Sequence, residues 1–538
     1  MLTERARSHR AEATAQEWWR GAAIYQVYVR SFADSNDDGV GDLPGVTGKL
    51  DYIASLGVDA LWLCPFFTSP MRDFGYDVAD YCDVDPVFGT LADFDALVAK
   101  AHSVGLRVII DQVYSHSSDQ HPWFQESRSS RSNEKADWYV WADPKPDGTP
   151  PNNWLSVFSG PAWEWDSRRG QYYLHNFLPE QPDLNLHNRA VQDAILEVAR
   201  FWLKRGVDGF RLDAITFAMH DPQLRDNPPS PPEWGHERPF DLQQHIYNQS
   251  QPEIADFLER LRDLTDSFGG RFTLAEVGGR DPLPEMRALT GGEERLNSAY
   301  GFEFLYADKL TPALFARAAD NWQDSASGWP TWTFENHDAP RAISRWCRGS
   351  EQEQFARLKT LLLCSLRGSI IIYQGEELGL PQAEIPYEQL RDPEAIANWP
   401  RTFGRDGART PMPWNSAAPN LGFSGGEPWL PASQSHASLG VDRQESNDDS
   451  LLNFVRTCIH FRKGSSALLR GAMEIVEAGK DLLVFDRQSR GQHLRCVFNL
   501  SEGSIAYRSG HRRLLTTGDV HGAELGPYAA IIEEIEKR

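Results

Sequence analysis

The chain has 538 residues, of which 41% are hydrophobic and 11% aromatic, and its formal net charge is −22. A chain this long and apolar can bury a large core, which excludes a disordered protein and predicts three or four domains or one α/β barrel with additions. The acidic balance argues against nucleic-acid and anionic-membrane partners, because both are negatively charged.

The cysteines and the apolar runs indicate the compartment. The six cysteines are scattered, without a CxxC pair, at Cys64, Cys82, Cys347, Cys364, Cys458 and Cys496. This spacing predicts reduced thiols and neither a disulfide framework nor a zinc site. Segment 1–19 lacks the apolar stretch of a signal peptide, and no run of about 18 apolar residues occurs. We therefore expect a cytoplasmic protein without a membrane span.

Eight apolar, strand-like runs alternate with helical patterns. The predicted strands are Ala23–Phe32, Ala60–Cys64, Leu106–Ile110, Val207–Leu212, Phe272–Ala275, Ala299–Phe304, Thr331–Phe334 and Ser369–Tyr373. The helical patterns between them include Leu43–Leu56, Leu91–Val104, Arg189–Lys204 and Pro252–Ser267. Alternation of this kind predicts parallel βα units, and eight of them predict an α/β fold of the (β/α)8 TIM-barrel type.

Two segments interrupt this alternation. Residues 115–186, after the third strand, are rich in Ser, Asp, Pro, Gly and Trp, and the tryptophans favour a small folded subdomain over a disordered linker. From about Ser465 the pattern alternates as in strands. We predict a barrel domain formed by 1–114 and 187–464, an inserted subdomain at 115–186, and a C-terminal β-domain at 465–538.

The loop after the first strand carries oxygen-bearing side chains at alternate positions of a glycine-punctuated turn. The candidate ligands are Asp34, Asn36, Asp38, Val40 and Asp42. Alternating Asp and Asn oxygens wrap a hard cation in the first part of an EF-hand loop, but no bidentate glutamate closes this one. The pattern predicts either a cation site or a plain Asx-rich turn.

Titratable side chains cluster where the predicted strands end, which is the face on which barrel enzymes build active sites. They are Asp111 and His116 at the third strand, Arg211 and Asp213 at the fourth, Glu276 at the fifth, and His337 and Asp338 at the seventh. Arg211 and Asp213 are two residues apart, so on a strand both side chains point to one face. A structural ion pair explains that pair equally well when it is taken alone.

Three carboxylates in one cleft suit the cleavage of a glycosidic bond. That reaction needs an acid to protonate the leaving oxygen and a carboxylate on the other side of the sugar. Asp213 suits the nucleophile, because Arg211 beside it is expected to lower its pKa. Glu276 follows the apolar pair Leu274 and Ala275, which suits a general acid. With a nucleophile, the two carboxyl groups lie roughly 5–5.5 Å apart and configuration is retained.

Four motifs resemble, in order, the signature regions of the α-amylase superfamily, glycoside hydrolase family 13. They are DQVYSH (111–116), GFRLDA (209–214), LAEVG (274–278) and FENHD (334–338). The motifs QPDLN, GVGDLPGV and GEELG agree, and the similarity runs from about Trp18 to Asn499. The resemblance implies a barrel enzyme in which Asp213 is the nucleophile, Glu276 the acid/base and Asp338 a third carboxylate that binds sugar hydroxyls.

The resemblance also implies the residues that bind the sugar. Arg211, His116 and His337 would complete a glucose pocket, and Tyr76 would stack on the ring. In the branch of α-glucosidases and oligo-1,6-glucosidases, an Asp and an Arg close the pocket behind one glucose. Here these are Asp73 and either Arg405 or Arg409, of which we favour Arg405.

The same branch implies two weaker assignments. Phe158 and Phe177 align with pocket-lining positions, although each taken singly fits a core residue better. The loop from Asp34 to Asp42 matches the single calcium site of the branch, with Mg²⁺ as an alternative and no organic cofactor.

Two departures from the family pattern bear on specificity. Ser115 stands where the first motif normally has Asn, so the resemblance does not extend to the contact that this Asn makes. Ala214 is not followed by the Lys-His pair of endo-acting α-amylases, which weakens a polysaccharide-cleaving interpretation. In this branch Val after the nucleophile correlates with α-1,6 linkages and Ala or Thr with α-1,4, so Ala214 favours α-1,4.

Three functions compete. The first is a retaining exo-acting α-glucosidase that releases α-D-glucose from maltose-like or sucrose-like substrates through a covalent β-glucosyl-enzyme intermediate, with some glucosyl transfer, as a monomer or homodimer. The second is a relative such as a trehalose synthase, a sucrose isomerase or an oligo-1,6-glucosidase. The third is a non-catalytic relative, such as the heavy subunit of an amino-acid transporter, which would lack the three acids and carry a membrane span.

Overall fold

The computed structural model describes residues 17–235, 238–279, 282–320, 322, 328–347, 349–402 and 404–536. Residues 1–16 of the predicted barrel domain lie outside the described residues. They make up most of segment 1–19, in which we found no signal-peptide pattern. Residues 537–538 of the predicted C-terminal domain also lie outside the described residues. Among the described residues, no helix combines the length and apolar character needed to cross a membrane.

Eight parallel strands form one sheet. They are β1 Ala23–Val27, β2 Ala60–Leu63, β3 Arg107–Val113, β4 Gly209–Asp213, β5 Phe272–Val277, β6 Ser298–Gly301, β7 Thr331–Trp332 and β8 Ser369–Tyr373. Their order is β6-β5-β4-β3-β2-β1-β8-β7, and a parallel bridge between Ala299 and Pro330 joins the two ends. This closed order confirms the predicted (β/α)8 barrel.

The barrel strands are continuous apolar runs because both of their faces are covered. Every residue of β1, β2, β4, β5 and β8 is buried. Parallel strands enclosed by helices have this composition, whereas half-exposed strands alternate apolar and polar residues. The charged residues of β4 and β5 are therefore buried side chains that need partners.

The helices pack around the outside of the barrel and in its connecting loops. They are Leu43–Gly48, Leu50–Ser55, Leu91–Ser103, Pro122–Ser127, Arg189–Lys204, Ile254–Ser267, Pro282–Thr290, Pro312–Asp320, Ala342–Trp346, Gln352–Ser365, Pro393–Asn398, Val441–Glu445, Leu451–Lys463 and Ser466–Arg470. Arg189–Lys204 shows why they form: Asn188 caps its first turn, and Val191, Ile195 and Trp202 lie on one buried face.

Some predicted bounds were wrong. The pattern Leu43–Leu56 is two helices, because Gly45 and Gly48 are poor helix formers and Lys49 leaves the helical conformation with φ −108° and ψ 4°. The first strand ends at Val27, and a 3-10 turn follows at Val29–Ser31.

Strand lengths near the site also differ from prediction. Strand β3 runs to Val113 and β5 to Val277, because both keep pairing with their neighbours, so Asp111 and Glu276 lie within strands. Strand β6 begins at Ser298 and ends at Gly301, and β7 ends at Trp332 instead of Phe334.

The segment after β3 has its own small sheet and core. The sheet has three strands, which are Trp141–Ala142, Gln171–Leu174 and Trp163–Asp166. A separate two-stranded sheet, Phe67–Thr68 with Asp80–Val84, lies before this segment in the chain. Trp154, Ala162, Trp163 and Leu174 are among the buried residues of a separate cluster in the segment after β3. The segment is thus folded, as its tryptophans predict; its bounds at 115 and 186 stay predictions.

The end of the chain forms two antiparallel sheets. The larger contains, in spatial order, Ala472–Ala478, Leu482–Ser489, Gln492–Asn499, Ala530–Glu534 and Arg512–Thr517. The smaller contains Ile505–Ala506, Glu524–Leu525 and Val520–His521. The C-terminal β-structure is therefore present, and the boundary at 464/465 stays a prediction.

Candidate active site

A sharp turn follows the carboxyl end of β4. Asp213 is the last residue of the strand, and Ala214 adopts left-handed backbone angles of φ 42° and ψ 35°. A non-glycine residue rarely takes this conformation, which costs free energy and clusters at functional sites. The turn directs the Ala214 N–H to Oε2 of Glu276 at 3.2 Å, so the strained peptide links the two predicted catalytic residues.

One guanidinium contacts three carboxylates at the end of the barrel. The Nη1 atom of Arg211 donates to Oδ1 of Asp213 and to Oδ1 of Asp111, both at 2.7 Å. Its Nη2 atom forms an ion pair with Oε1 of Glu276. Sheet register explains this meeting, because Leu274 of β5 lies beside Arg211 of β4 and Glu276 therefore lies beside Asp213. Asp213 and Glu276 consequently share one cation.

The expected pKa of Asp213 was wrong in direction. Burial raises the pKa of Asp213 well above its usual range; Arg211 lowers it, while Glu276, Asp111 and Asp338 raise it. The sequence argument counted the adjacent arginine and omitted the loss of water and the other carboxylates that the barrel brings close. Arg211 still fixes the geometry of the group and favours its ionised form, which is the form a nucleophile requires.

Asp338 has the opposite electrostatic environment. Its Oδ1 atom accepts from Nη2 of Arg409 at 2.7 Å and lies 3.6 Å from Nη1 of Arg405, and its Oδ2 atom lies 3.1 Å from Nε2 of His337. Burial alone would raise its pKa, but the Arg409 and Arg405 guanidiniums beside it lower it below its usual range. Asp338 is therefore an ionised carboxylate beside the other two acids.

Asp73 pairs with Arg405, the arginine that we favoured. Nη2 of Arg405 donates to Oδ1 of Asp73 at 2.7 Å and also to Oδ1 of Asp392 at 2.8 Å. Arg409 instead donates from Nε to the His337 carbonyl oxygen at 2.7 Å. Residues from the second and eighth βα loops thus meet in one buried charge network.

Two histidines and a tyrosine complete the surroundings. The Tyr76 ring stacks on the His337 ring, with centroids 5.5 Å apart, and the Tyr76 hydroxyl lies 2.6 Å from His337 Nε2. His116 Nε2 lies 3.1 Å from the Tyr76 carbonyl oxygen and 3.1 Å from Nε2 of Gln181. Burial lowers the pKa of His116 to about 4 and that of His337 well below its usual value, so both rings are neutral near pH 7.

The two predicted aromatic residues lie against this network. The Phe177 ring is 5.0 Å from the His116 ring and 6.0 Å from the Phe158 ring. The Arg405 guanidinium lies over Phe158 at 5.1 Å. Every residue predicted for the sugar pocket is thus connected through direct contacts, although their roles toward a sugar stay predictions.

Side-chain exposure distinguishes the reachable groups from their supports. Asp213, Glu276 and Asp338 keep 11%, 8% and 20% of their side-chain surface exposed, whereas Arg211 and His337 have 0%. Asp73 and Arg405 keep 5% and 9%, which is close to the value for Glu276. The three carboxylates therefore keep some exposed surface, most of it on Asp338, whereas Arg211 and His337 are fully enclosed.

The sequence did not single out four side chains of this network. The Tyr300 hydroxyl donates to Oε1 of Glu276 at 2.8 Å, and Trp62 Nε1 donates to Oδ2 of Asp111 at 3.1 Å. Asp392 binds Arg405, and Gln181 reaches Asp73 Oδ2 at 3.3 Å. Tyr300 and Trp62 occupy apolar strands and resemble core residues. Gln181 lies in a motif already noted, QPDLN, which was its available signal.

The predicted cation loop fits a hard cation in part. Asp34, Asn36 and Asp38 each accept the N–H two residues further on, at 2.9–3.0 Å, and Asp34 also accepts from Asp37 N and Gly39 N, at 2.9 and 2.8 Å. Asp42 is committed elsewhere, because its carboxylate accepts from Gly45 N and from Ser35 N and Oγ. Among the described residues, no three His, Cys, Asp or Glu side chains are grouped so that they could hold a metal ion.

The Asp73 pair gives a specific prediction. Asp73→Ala should raise the inhibition constant of glucose by about tenfold to a hundredfold, because one charge-assisted hydrogen bond of the pocket is lost. Inhibition of hydrolysis by added glucose measures the effect. Asp51→Ala, which removes a surface carboxylate paired with Lys100, is the control. An unchanged inhibition constant of glucose in Asp73→Ala would show that the bound sugar does not reach the pair of Asp73 and Arg405.

The fold and the site together define a class. A (β/α)8 barrel with three accessible carboxylates at the carboxyl ends of its strands has the acid and base groups of a glycoside hydrolase. Residues 26–471 match the family model described as alpha amylase, catalytic domain. The chain belongs to this family, glycoside hydrolase family 13, as its four motifs predict, and it is a glycoside hydrolase.

Similar proteins with assigned names support membership of this family. The chain is 53% identical over 508 residues to a probable alpha-glucosidase of Rhizobium meliloti (strain 1021), covering 93% of this chain and 92% of that protein. It is 35% identical over 564 residues to an oligo-1,6-glucosidase of Heyndrickxia coagulans, covering 97% and 100%. The solved structure of an alpha-glucosyl transfer enzyme, XgtA, matches with a TM-score of 0.92 and 50% identity, covering 96% and 99%.

Proposed function

We propose that the protein is a retaining, exo-acting α-glucosidase that releases α-D-glucose from the non-reducing end of short α-glucosides, with α-1,4 linkages preferred. The observation that carries the proposal is the shared guanidinium of Arg211, which holds Asp213 and Glu276 side by side in an enclosed site. The name of the relative with 53% identity supports the substrate class.

The chemistry uses two steps at the anomeric carbon. Arg211 holds Oδ1 of Asp213, which leaves Oδ2 as the attacking oxygen. As Oδ2 forms a bond to the anomeric carbon, the bond to the aglycone oxygen breaks and Glu276 gives that oxygen its proton. Water then attacks the covalent β-glucosyl-enzyme, Glu276 takes a proton from the water, and Asp213 leaves as a carboxylate. Two inversions give net retention.

The exo action rests on the enclosed end of the site. Asp73, Arg405 and Asp392 join the loops there through bonds of 2.7–2.8 Å and leave little exposed surface. A pocket closed behind one sugar admits a chain end and excludes the middle of a polysaccharide. Maltose, sucrose and aryl or alkyl α-glucosides are the substrates of suitable length.

Glucosyl transfer is the second candidate activity. The rings of Phe177 and Phe217 lie 5.2 Å apart and those of Phe217 and Phe240 lie 6.4 Å apart, so these rings form an aromatic strip that begins beside His116. An apolar strip favours an alcohol acceptor over water at the second step. The likeness to the alpha-glucosyl transfer enzyme supports this candidate.

A product profile tests these proposals. Maltose, isomaltose, sucrose and trehalose are incubated separately at equal concentration, and products are followed by chromatography and by NMR of the anomeric proton. Mostly free glucose, first formed as the α anomer, with maltose as the fastest substrate, is the expected result. A rearranged disaccharide as the main product would replace the hydrolase with an isomerase, and β-glucose would exclude retention.

We propose that Ca²⁺ stabilises the loop through Asp34, Asn36, Asp38 and the Val40 carbonyl oxygen. Thermal unfolding with CaCl₂ should occur at a higher temperature than with chelator, because a ligand bound only to the folded state stabilises it by mass action. Asp38→Ala should abolish this increase, whereas Asp42→Ala should lower stability in both solutions. An increase that survives in Asp38→Ala contradicts the site, and the same titration with Mg²⁺ compares the two ions.

We propose that the enzyme is cytoplasmic and acts as a monomer or homodimer. All six cysteines, each in a described position, are free thiols, and five are buried, which supports a reducing compartment. Cell fractionation and light scattering test the two statements.

A further inference from the structure

Tyr300 lies beside the predicted acid/base on the neighbouring barrel strand. It is fully buried on β6, and the register pairs it directly with Glu276 of β5. Its ring lies 6.1 Å from the Trp62 ring, in the wall of the barrel. The sheet register thus places Tyr300 beside Glu276, and its hydroxyl reaches that carboxylate.

The hydroxyl proton of Tyr300 has a defined direction. Arg211 donates to the hydroxyl oxygen twice, from Nε at 3.1 Å and from Nη2 at 2.9 Å. A tyrosine hydroxyl has one proton and accepts through its oxygen. With the oxygen occupied by Arg211, the proton points to Oε1 of Glu276 at 2.8 Å. Burial raises the pKa of Tyr300 well above its usual value, so the donor stays protonated.

The two oxygens of Glu276 are therefore unequal. Oε1 receives the Tyr300 hydroxyl and contacts Nη2 of Arg211. Oε2 receives the Ala214 N–H at the longer distance of 3.2 Å. An oxygen surrounded by donors is a poor site for a proton, because a proton there would face other protons.

We propose that Tyr300 is a positioning residue for proton transfer: its hydroxyl occupies Oε1 of Glu276, so that the transferable proton is held on Oε2, and it stabilises the carboxylate as that proton leaves. This inference rests on the proposed role of Glu276 as acid/base. It adds a residue that none of the four signature motifs contains. The same hydroxyl also orients Arg211, so the test separates an effect on protonation from a loss of architecture.

Leaving-group dependence makes that separation. Tyr300→Phe keeps the ring and removes the hydroxyl. We expect kcat/KM to fall by about tenfold to a hundredfold on maltose, whose sugar leaving group requires a proton. On 4-nitrophenyl α-glucoside, whose phenolate leaves without protonation, the fall should stay under about threefold. A purely structural role would lower both values by the same factor.

Two further variants calibrate the result. Glu276→Gln should show the same leaving-group pattern with a larger loss on maltose. Tyr25→Phe removes another buried tyrosine hydroxyl that donates to a carboxylate, Glu377, at 2.6 Å outside the site, and should leave the ratio of the two substrates unchanged. Thermal unfolding of each variant monitors folding.

The outcomes distinguish this inference from the function beneath it. If Glu276→Gln lowers both substrates equally, the acid/base assignment itself fails. If Glu276→Gln shows the pattern and Tyr300→Phe lowers both substrates equally, Tyr300 is structural and the inference is overturned. Should Tyr300→Phe not fold, replacement of Tyr300 by 3-fluorotyrosine keeps the shape and changes the acidity of the hydroxyl. An unchanged substrate ratio in that protein would also overturn it.

Discussion

Asp213→Asn is expected to lower kcat/KM for every α-glucoside by at least about 10⁴-fold, a loss typical of removing a catalytic nucleophile. The reason is local: Arg211 binds Oδ1, and the second side-chain atom must form the bond to the sugar. An amide nitrogen in that place cannot attack. Release of 4-nitrophenol from its α-glucoside measures the residual rate, and Asp213→Ala guards against deamidation of the new Asn.

The control lies on the same run of chain. Asp208 precedes β4 at the opposite end of the barrel, is buried, and contacts His102 at 2.7 Å and also Arg271. Asp208→Asn should reduce stability and leave catalysis intact in the folded fraction. If both variants lose activity to the same extent, the loss reflects damage to the strand. If Asp213→Asn keeps substantial activity, the nucleophile is another group.

The barrel is the part of the structure that the sequence predicts best. Parallel strands covered on both faces require apolar residues throughout, so each is visible as a short run such as Ser369–Tyr373, whose bounds agree with the structure. The ends were less certain, since pairing with a neighbouring strand extended β3 and β5 beyond their apolar runs. The break at Lys49 depends on two glycines, which the apolar pattern does not register.

For the site, too, the sequence predicts some residues and misses others. Asp213, Glu276 and Asp338 were identified because strand ends in this fold converge, and Arg211 because it shares a strand face with Asp213. Tyr300, the proposed positioning residue, was missed because only the register between two strands brings it beside Glu276, and a sequence pattern does not contain that register.

The predicted direction of the pKa shift of Asp213 was wrong for a related reason. Adjacency along the chain identified one cation and predicted a lowered pKa. Burial and three carboxylates from other strands raise it, and all of them become neighbours only after the barrel closes. Chemical identity can thus be inferred from local sequence, whereas electrostatic environment depends on long-range packing.

Lys359 is expected to be an important buried charge for stability outside the site. It lies fully buried on the helix Gln352–Ser365 and donates to Oε1 of Glu335 at 2.8 Å and to Oε1 of Glu376 at 2.7 Å. Glu335 keeps Arg341 as a second cation at 3.2 Å, but Glu376 would lose its cation if the lysine were removed. Glu335 belongs to the segment that ends in His337 and Asp338, so this network supports the catalytic loop.

Lys359→Met should lower the free energy of unfolding by about 3–5 kcal/mol, because it leaves the buried carboxylate of Glu376 without a counter-ion. Denaturant unfolding followed by fluorescence measures the loss. Lys100→Met removes an exposed pair with Asp51 and should cost less than about 1 kcal/mol. The double variant Lys359→Met/Glu376→Gln should recover part of the loss, since it removes the unpaired charge.

The loss of stability in Lys359→Met should depend on pH in a defined direction. Burial raises the pKa of Glu376 to about 7 even though Lys359 lowers it, so removal of the lysine raises it further. In the folded Lys359→Met variant Glu376 keeps its proton up to this raised pKa, whereas in the unfolded chain it releases the proton above about pH 4.3. The stability of the variant therefore falls as pH rises from the unfolded pKa to the folded pKa of Glu376. The deficit relative to the parent should be larger at about pH 8 than at about pH 6. A deficit that shrinks with rising pH would mean that Glu376 is not the destabilised group.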